Sequence, residues 1–304
     1  MLFRSTLITV APPLAGSKEP LLPDFPIIDS HVHLCDPERL GYAWMKDAPA
    51  LDRRVLPDDL ARAARPVAVE QFVFVEVDVD FPRHLDEAAW VDGLSRSDKR
   101  IAGMVAALPL EKGAAVEPEL DRLLEHKTLR GVRRLIQSQP DPEFCIRPDF
   151  IAGVKLLARH DLVFDICILH HQMPNAIRMV QECPKVRFVL DHIGKPGIKA
   201  GLLDPWRRHI KELASLPNVS CKISGVMTEA DHKDWTREEL KPYIAHAIEA
   251  FGFDRILFGG DWHVVELAGT YPEWVEIVDW VVEGCTSREK RNLFRDNAIL
   301  TYRL

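Results

Sequence analysis

The chain has 304 residues, 47% of them hydrophobic, enough for one large core or two modest ones. A net charge of −7 argues against a nucleic-acid partner, because phosphate binding needs a basic face. The six cysteines (Cys35, Cys145, Cys167, Cys183, Cys221 and Cys285) form no Cys-x-x-Cys pair, so they read as reduced core residues. No apolar run approaches the roughly 20 residues of a membrane span. Residues 1–25 read as a leader segment, since the run Leu7-Ile8-Thr9-Val10-Ala11 is too short for a signal core. The expected location is the cytoplasm.

The first strand is Pro26-Ile27-Ile28-Asp29-Ser30-His31-Val32-His33. Strand alternation puts Asp29, His31 and His33 on one face and Val32 on the other. Two imidazoles on one face at a strand end can grip one metal ion or one anionic oxygen. A loop holding Trp44 and a helix over 57–64 precede the second strand, 71–78, which is apolar almost throughout and carries Glu76 near its end. A helix over 85–97, a strand over 100–107 and a helix over 116–126 follow. The fourth strand, 131–137, contains Arg133 and Arg134, which point opposite ways, and ends on Gln137. A helix over 149–160 leads to a strand over 162–169 that ends at His170-His171, of which at most one faces the site. After a helix over 174–183, strand six (186–192) ends at His192, and Lys195 lies in its exit loop. A helix over 205–215 precedes strand seven, 219–224, where Lys222 is an ammonium that must find a partner if buried. A helix over 238–250 precedes strand eight, 255–262, which runs through Gly259-Gly260 to Asp261 and Trp262. Helices over 271–283 and 287–300 end the chain.

Eight strand–helix units in 304 residues predict an α/β protein, a closed (β/α)8 barrel over residues 26–304 in preference to an open doubly wound sheet. No Gly-x-Gly-x-x-Gly follows strand one and no Gly-x-x-x-x-Gly-Lys occurs, so no nucleotide cofactor is expected. No Gly-x-Ser-x-Gly elbow supports a serine nucleophile. Each strand-end residue has an ordinary reading by itself. Glu76 can cap a helix, Lys195 can lie on the surface, and Trp44 and Trp262 can be packing residues. Together, histidines and acids at so many successive strand ends point to the C-terminal face where barrel enzymes build their sites.

Three motifs, Asp29-Ser30-His31-Val32-His33-Leu34, Val189-Leu190-Asp191-His192-Ile193-Gly194-Lys195-Pro196 and Phe258-Gly259-Gly260-Asp261-Trp262, resemble the amidohydrolase superfamily. They resemble most the sugar-lactone hydrolases of its amidohydrolase-2 branch, such as L-fuconolactonase and L-rhamnonolactonase-like enzymes. The 2-pyrone-4,6-dicarboxylate hydrolases are more distant. Gly131-Val132-Arg133 and Lys222-Ile223-Ser224-Gly225 also fit, and the resemblance runs from about Ile27 to Leu304. It implies a distorted (β/α)8 barrel with His31, His33, His192 and Asp261 meeting at its mouth. There they bind a divalent metal such as zinc or manganese, which some lactonases of the branch do not tightly require. The bridging carboxylated lysine of binuclear members has no clear counterpart, and His263 stands where the branch often has proline.

The expected activity is hydrolysis of an aldonolactone such as L-fuconolactone. Asp261 is the candidate general base, with His31, His33 and His192 polarising the carbonyl directly or through a metal. Glu76, Arg133, Gln137, His170, Trp262 and Trp44 are the candidate substrate contacts. The partner is a small molecule, with neither nucleic acid nor membrane, and a homodimer is left open. The alternative enzyme readings are a metal-dependent non-oxidative decarboxylase of an unsaturated or aromatic acid, and a 2-pyrone-dicarboxylate-type lactonase. A catalytically silent binding barrel is a third class, against which the set of strand-end residues argues.

Overall fold

A computed structural model describes residues 22–304. The expected leader lies outside the described residues except for its last four, of which Leu22 and Phe25 pack against the core. Eight parallel strands follow one another around the sheet: β1 Ile27–Val32, β2 Val69–Val75, β3 Ile101–Ala107, β4 Leu129–Arg133, β5 Val163–Ile166, β6 Arg187–Leu190, β7 Val219–Ile223 and β8 Ile256–Phe258. Closure of β8 on β1 comes at the C-terminal end. Val32 bridges Trp262, the His33 amide donates to the Trp262 carbonyl (2.7 Å), and the Asp261 amide donates to the His31 carbonyl (2.9 Å). The expected eight-unit barrel is therefore the observed fold.

The outer layer is α1 Pro57–Ala63, α2 His84–Ser97, α3 Glu117–Leu124, α4 Pro148–Leu156, α5 Met173–Glu182, α6 Trp206–Ala214, α7 Arg237–Phe251 and α8 Tyr271–Val281. Thr236 and Thr270 start α7 and α8 with capping boxes, their hydroxyls accepting from Glu239 and Glu273 amides while those carboxylates reach back. The expected C-terminal helix over 287–300 is present as a continuous helical run from α9 Ser287–Arg291 through a wider π-type turn, Asn292–Asp296, into α10 Asn297–Tyr302. The last stretch, α10, packs against the barrel interior. There Ala298 and Tyr302 join Ile28, Val73, Val75, Val105, Val163, Val189 and Leu257 in the inner core. The strands are buried on both faces, which is why they read as near-continuous apolar runs.

Most strands are shorter than the apolar pattern suggested. β4 stops at Arg133, β5 at Ile166 and β8 at Phe258. Gln137, His170 and Asp261 therefore stand on loops at the mouth instead of in the ladder. Apolar runs continue past the last ladder bond because the loop starts are buried too, with Leu135, Ile136 and Ile168 each 5% exposed or less. Among the described residues no helix is long and apolar enough to cross a membrane.

Candidate active site

The first strand does not keep its alternation. Pairing of β1 with β2 shifts register between Asp29 and Val32. Ile28 packs in the inner core and His31 also turns inward, an odd separation that a regular strand would not allow. Asp29 is thus not on the histidine face. Its carboxylate accepts from the Tyr271 hydroxyl of α8 (2.9 Å) and from the amides of Gly260 (2.8 Å) and His31 (2.9 Å). Asp29 is the clamp that holds β8 to β1. Gly260 is required for that approach, since a Cβ there would lie 2.4 Å from the Asp29 carboxylate and 2.3 Å from the Tyr271 ring.

The clamp sets Asp261 against the two histidines. Asp261 Oδ1 lies 3.3 Å from His33 Nε2 and 3.6 Å from His31 Nε2, and those nitrogens are 3.2 Å apart. His192 approaches the other oxygen, its Nδ1 3.9 Å from Asp261 Oδ2. His192 sits in a turn over Asp191–Gly194 with φ of 54°, a left-handed conformation unusual for a non-glycine residue. Its Nδ1 is 3.0 Å from the Ser224 hydroxyl. Gly225 leaves room for the ring, because a Cβ there would stand 2.5 Å from His192 Nδ1. All four side chains are buried.

Hydrogen bonding limits the states of these rings. His33 Nδ1–H donates to the Val75 carbonyl (2.9 Å), which leaves Nε2 bare when the ring is neutral. His31 Nδ1 lies 3.3 Å from Asp191 Oδ1 and 3.2 Å from Lys222 Nζ. In one neutral tautomer it donates to Asp191, so that two bare Nε2 atoms and a carboxylate face one point. In the other it accepts from Lys222, and Nε2–H bridges to His33. Burial and the Lys222 charge hold His31 well below the ordinary histidine range, and burial lowers His192 to about 4. Burial alone would raise Asp261, but His192, the His33 hydrogen bond and His31 outweigh it and hold the carboxyl below its usual range.

The first tautomer is one that a divalent cation completes. The edge of a tetrahedron around zinc with bonds of 2.0–2.1 Å is about 3.3 Å, and the three separations among His31, His33 and Asp261 are 3.2, 3.3 and 3.6 Å. Ligand atoms of His31, His192 and Asp261 also lie within 4.8 Å of one another. The groups beneath them, the Val75 carbonyl for His33 and the Asp191 carboxylate for His31, are the kind of acceptor that metal-bound imidazoles usually have behind them. The residues therefore fit a divalent metal held by His31, His33, His192 and Asp261.

Beneath the imidazoles lies a column of buried charge. Arg133 donates through Nε to Glu76 (2.6 Å), through Nη1 to Asp191 (3.2 Å) and through Nη2 to the Glu76 carbonyl. Lys222 stands 3.0 Å from Asp191 and 2.5 Å from Asp165, and Asp165 accepts from the Tyr302 hydroxyl of α10 (2.9 Å). With Asp261, four carboxylates thus face two fixed cations, Arg133 and Lys222. A divalent ion held by His31, His33, His192 and Asp261 would supply the opposing charge. Lys222 has the partners its burial demands. Asp165, Asp191, Ser224 and Tyr302, which no strand-end pattern picked out, contact these side chains; Asp191 and Ser224 lay within motifs that carried the resemblance, whereas nothing in the sequence pointed to Asp165 or Tyr302.

The remaining candidates are placed differently. Glu76 is 2% exposed and both its carboxylate oxygens are engaged, by Arg133 and by the Asp78 amide, so it faces Arg133 and not open solvent. Arg133 turns inward; Arg134 turns outward to Glu111 and over the rings of Phe81 and Phe144. Gln137 accepts from the Cys167 thiol (3.5 Å). His170 is the half-buried member of its pair and donates to the Lys195 carbonyl (3.1 Å), while His171 is exposed. Trp44 is half-buried, its indole donating to the Val77 carbonyl. Trp262 is 1% exposed and its indole donates to Glu266, so it offers no ring face to a substrate; its carbonyl instead closes the barrel. His263 is fully buried, 3.3 Å from the Leu51 carbonyl and 3.9 Å from the Cys35 sulfur.

Comparison with known proteins agrees with this geometry. The chain is 32% identical over 292 residues to an L-fucono-1,5-lactonase of Burkholderia multivorans, covering 91% of this chain and 96% of that one. It is 30% identical to an L-fucono-1,5-lactonase of Burkholderia ambifaria over 91% and 95% of the two chains. The crystal structure of an amidohydrolase from Burkholderia multivorans with bound zinc superposes with a TM-score of 0.83 at 30% identity, over 92% of this chain and all of that one. The amidohydrolase family model matches residues 28–304, and the chain belongs to the amidohydrolase family.

Proposed function

We propose that this protein opens the ester ring of a sugar-acid lactone by activated water, with an aldonolactone of the L-fuconolactone type as substrate. The observation that carries the reading is the opposition of His31 and His33 to Asp261 in a buried mouth. The two similar lactonases make the sugar lactone the first substrate to try. Asp261, ionised at neutral pH, accepts a proton from the attacking water as the new C–O bond forms at the carbonyl carbon. Each neutral imidazole retains one N–H when no metal is held, and His192 offers its own to the developing oxyanion. When the ring C–O bond breaks, protonated Asp261 returns its proton to the leaving alkoxide. The product is a hydroxy acid, whose ionisation releases one proton to solution.

A divalent ion, zinc or manganese, when bound by His31, His33, His192 and Asp261, supplies Lewis-acid polarisation of the carbonyl. Acid release followed with a pH indicator across a panel of aldonolactones, before and after exhaustive chelation, tests the reading. Hydrolysis lost on chelation and restored by zinc or manganese assigns the metal an essential part. Hydrolysis that survives chelation assigns the chemistry to the side chains alone. Failure to hydrolyse any lactone overturns the reading.

A further inference from the structure

Lys195 follows His192 by three residues, and His192, Ile193, Gly194 and Lys195 all take positive φ, at 54°, 47°, 74° and 46°. Such a left-handed run is unusual for non-glycine residues and makes a tight turn directly after β6. The Lys195 carbonyl accepts from His170 of the loop after β5 (3.1 Å). The Lys199 amide donates to the Glu229 carbonyl after β7 (3.0 Å). Three mouth loops are tied together here, and Lys195 Nζ stands 3.6 Å from Glu229 Oε1, each side chain 21% exposed. Both groups lie within reach of the Asp261 charge. Burial would lower the Lys195 ammonium, but Cys167, Glu229 and Asp261 raise it. Burial and Asp261 raise Glu229 against the pull of Lys195.

The other cations that approach the mouth from the strands are fully engaged, Arg133 with Glu76 and Asp191 and Lys222 with Asp165 and Asp191. A substrate carboxylate or sulfonate would meet no surplus positive charge from them. Lys195 is loosely matched by one carboxylate at a distance longer than a hydrogen bond. What the rim presents is one charged donor beside one charged acceptor, which suits neighbouring hydroxyls: one gives its hydrogen to the carboxylate and the next accepts from the ammonium.

We propose that Lys195 and Glu229 are the specificity-determining pair, reading two adjacent hydroxyls of the lactone ring, and that Glu229, by neutralising Lys195, excludes lactones bearing an anionic group. The inference rests on the lactone-hydrolase reading and sharpens it to neutral polyhydroxy lactones. A site built to hydrogen-bond a hydroxyl rejects the analogue lacking it, and like charge at the rim rejects anions.

The test measures kcat and KM of the wild type, Glu229→Gln, Lys195→Met and Glu229→Asp. The substrates are an aldonolactone, its single-deoxy analogues and a carboxylated muconolactone, and circular dichroism checks each fold. The wild type should favour the aldonolactone over one or more deoxy analogues and over muconolactone. Glu229→Gln should narrow both gaps by about tenfold or more, the second through a lower KM for muconolactone. Lys195→Met should narrow only the first. Glu229→Asp, which keeps the charge, should keep the exclusion of muconolactone. An active wild type whose ratios are unchanged in Glu229→Gln and Lys195→Met overturns this inference and leaves the lactone reading standing. A wild type silent on every lactone overturns both.

Discussion

Asp191, just past β6, and Asp261, just past β8, are both buried carboxylates within reach of His31, and they differ in what holds them. Asp191 is fixed by permanent cations, Lys222 at 3.0 Å and Arg133 at 3.2 Å. Among the described residues, Asp261 has only imidazoles as close charged partners, at 3.3 to 3.9 Å. The paired carboxylate is part of a scaffold that cannot change charge without breaking. The other is free to exchange a proton or to take a metal. The barrel thus separates a layer that bears fixed charge from a layer that does chemistry, less than one side chain apart.

That separation can be broken from either side. Asp261→Asn should lower kcat by about 10²- to 10⁴-fold, with a thermal melt close to wild type, because it removes a proton acceptor and no fixed ion pair. A variant that keeps near wild-type turnover of a lactone sinks the assignment of Asp261. Lys222→Met should act the other way round. It leaves Asp165 and Asp191 buried with one cation fewer, and removing one partner of such a group costs about 3–5 kcal/mol. Urea unfolding followed by circular dichroism should show the loss; a midpoint equal to wild type would mean the column bears no load.

His263 offers a third cut. Its ring, buried against Leu51 and Cys35, is lowered to about 3 by burial first and His33 second. A folded-state value below the unfolded histidine value near 6.5 means that the unfolded chain takes up a proton the folded chain refuses. Stability from this group is therefore full above about pH 6.5 and falls as the pH drops towards 3. Between pH 7 and pH 5 the wild type should lose about 2 kcal/mol more than His263→Gln. Parallel urea titrations at the two pH values check this, and equal losses would refute the burial of a neutral ring.

The barrel was legible because burial on both faces makes each parallel strand apolar, and eight such runs recur between helical patterns. The gathering of His31, His33, His192 and Asp261 could be expected because each stands at or just past the C-terminal end of a strand, and parallel barrel strands all finish on one side. The face of Asp29 was misread because the register shift before Val32 breaks the two-residue period, and a bulge leaves no composition signal. Lys222 announced itself as a charge in an apolar run, but its partners did not. Asp165 is 57 residues away from it, and Tyr302 reaches Asp165 across 137 residues from the last helix. Contacts of that kind are set by closure of the barrel, not by local pattern. The same limit left Arg133 and Arg134 undivided until one was seen to face Asp191 and the other Glu111.

Those two arginines supply the smallest expected effect and a control for the others. Arg134 makes the more complete-looking pair, with Nε 3.0 and 2.9 Å from the two Glu111 oxygens, Nη2 at 2.7 Å, and Phe81 and Phe144 rings beneath it. Yet it lies on the partly exposed outer side, where water competes for both ions and ordering two long side chains offsets the attraction. Arg134→Ala should therefore cost about 1 kcal/mol or less and leave kcat within about twofold of wild type. If urea unfolding instead showed a loss as large as that of Lys222→Met, burial would not be what separates the two arginines. The contrast between the fixed-charge column and the catalytic mouth would then need another cause than the exclusion of water.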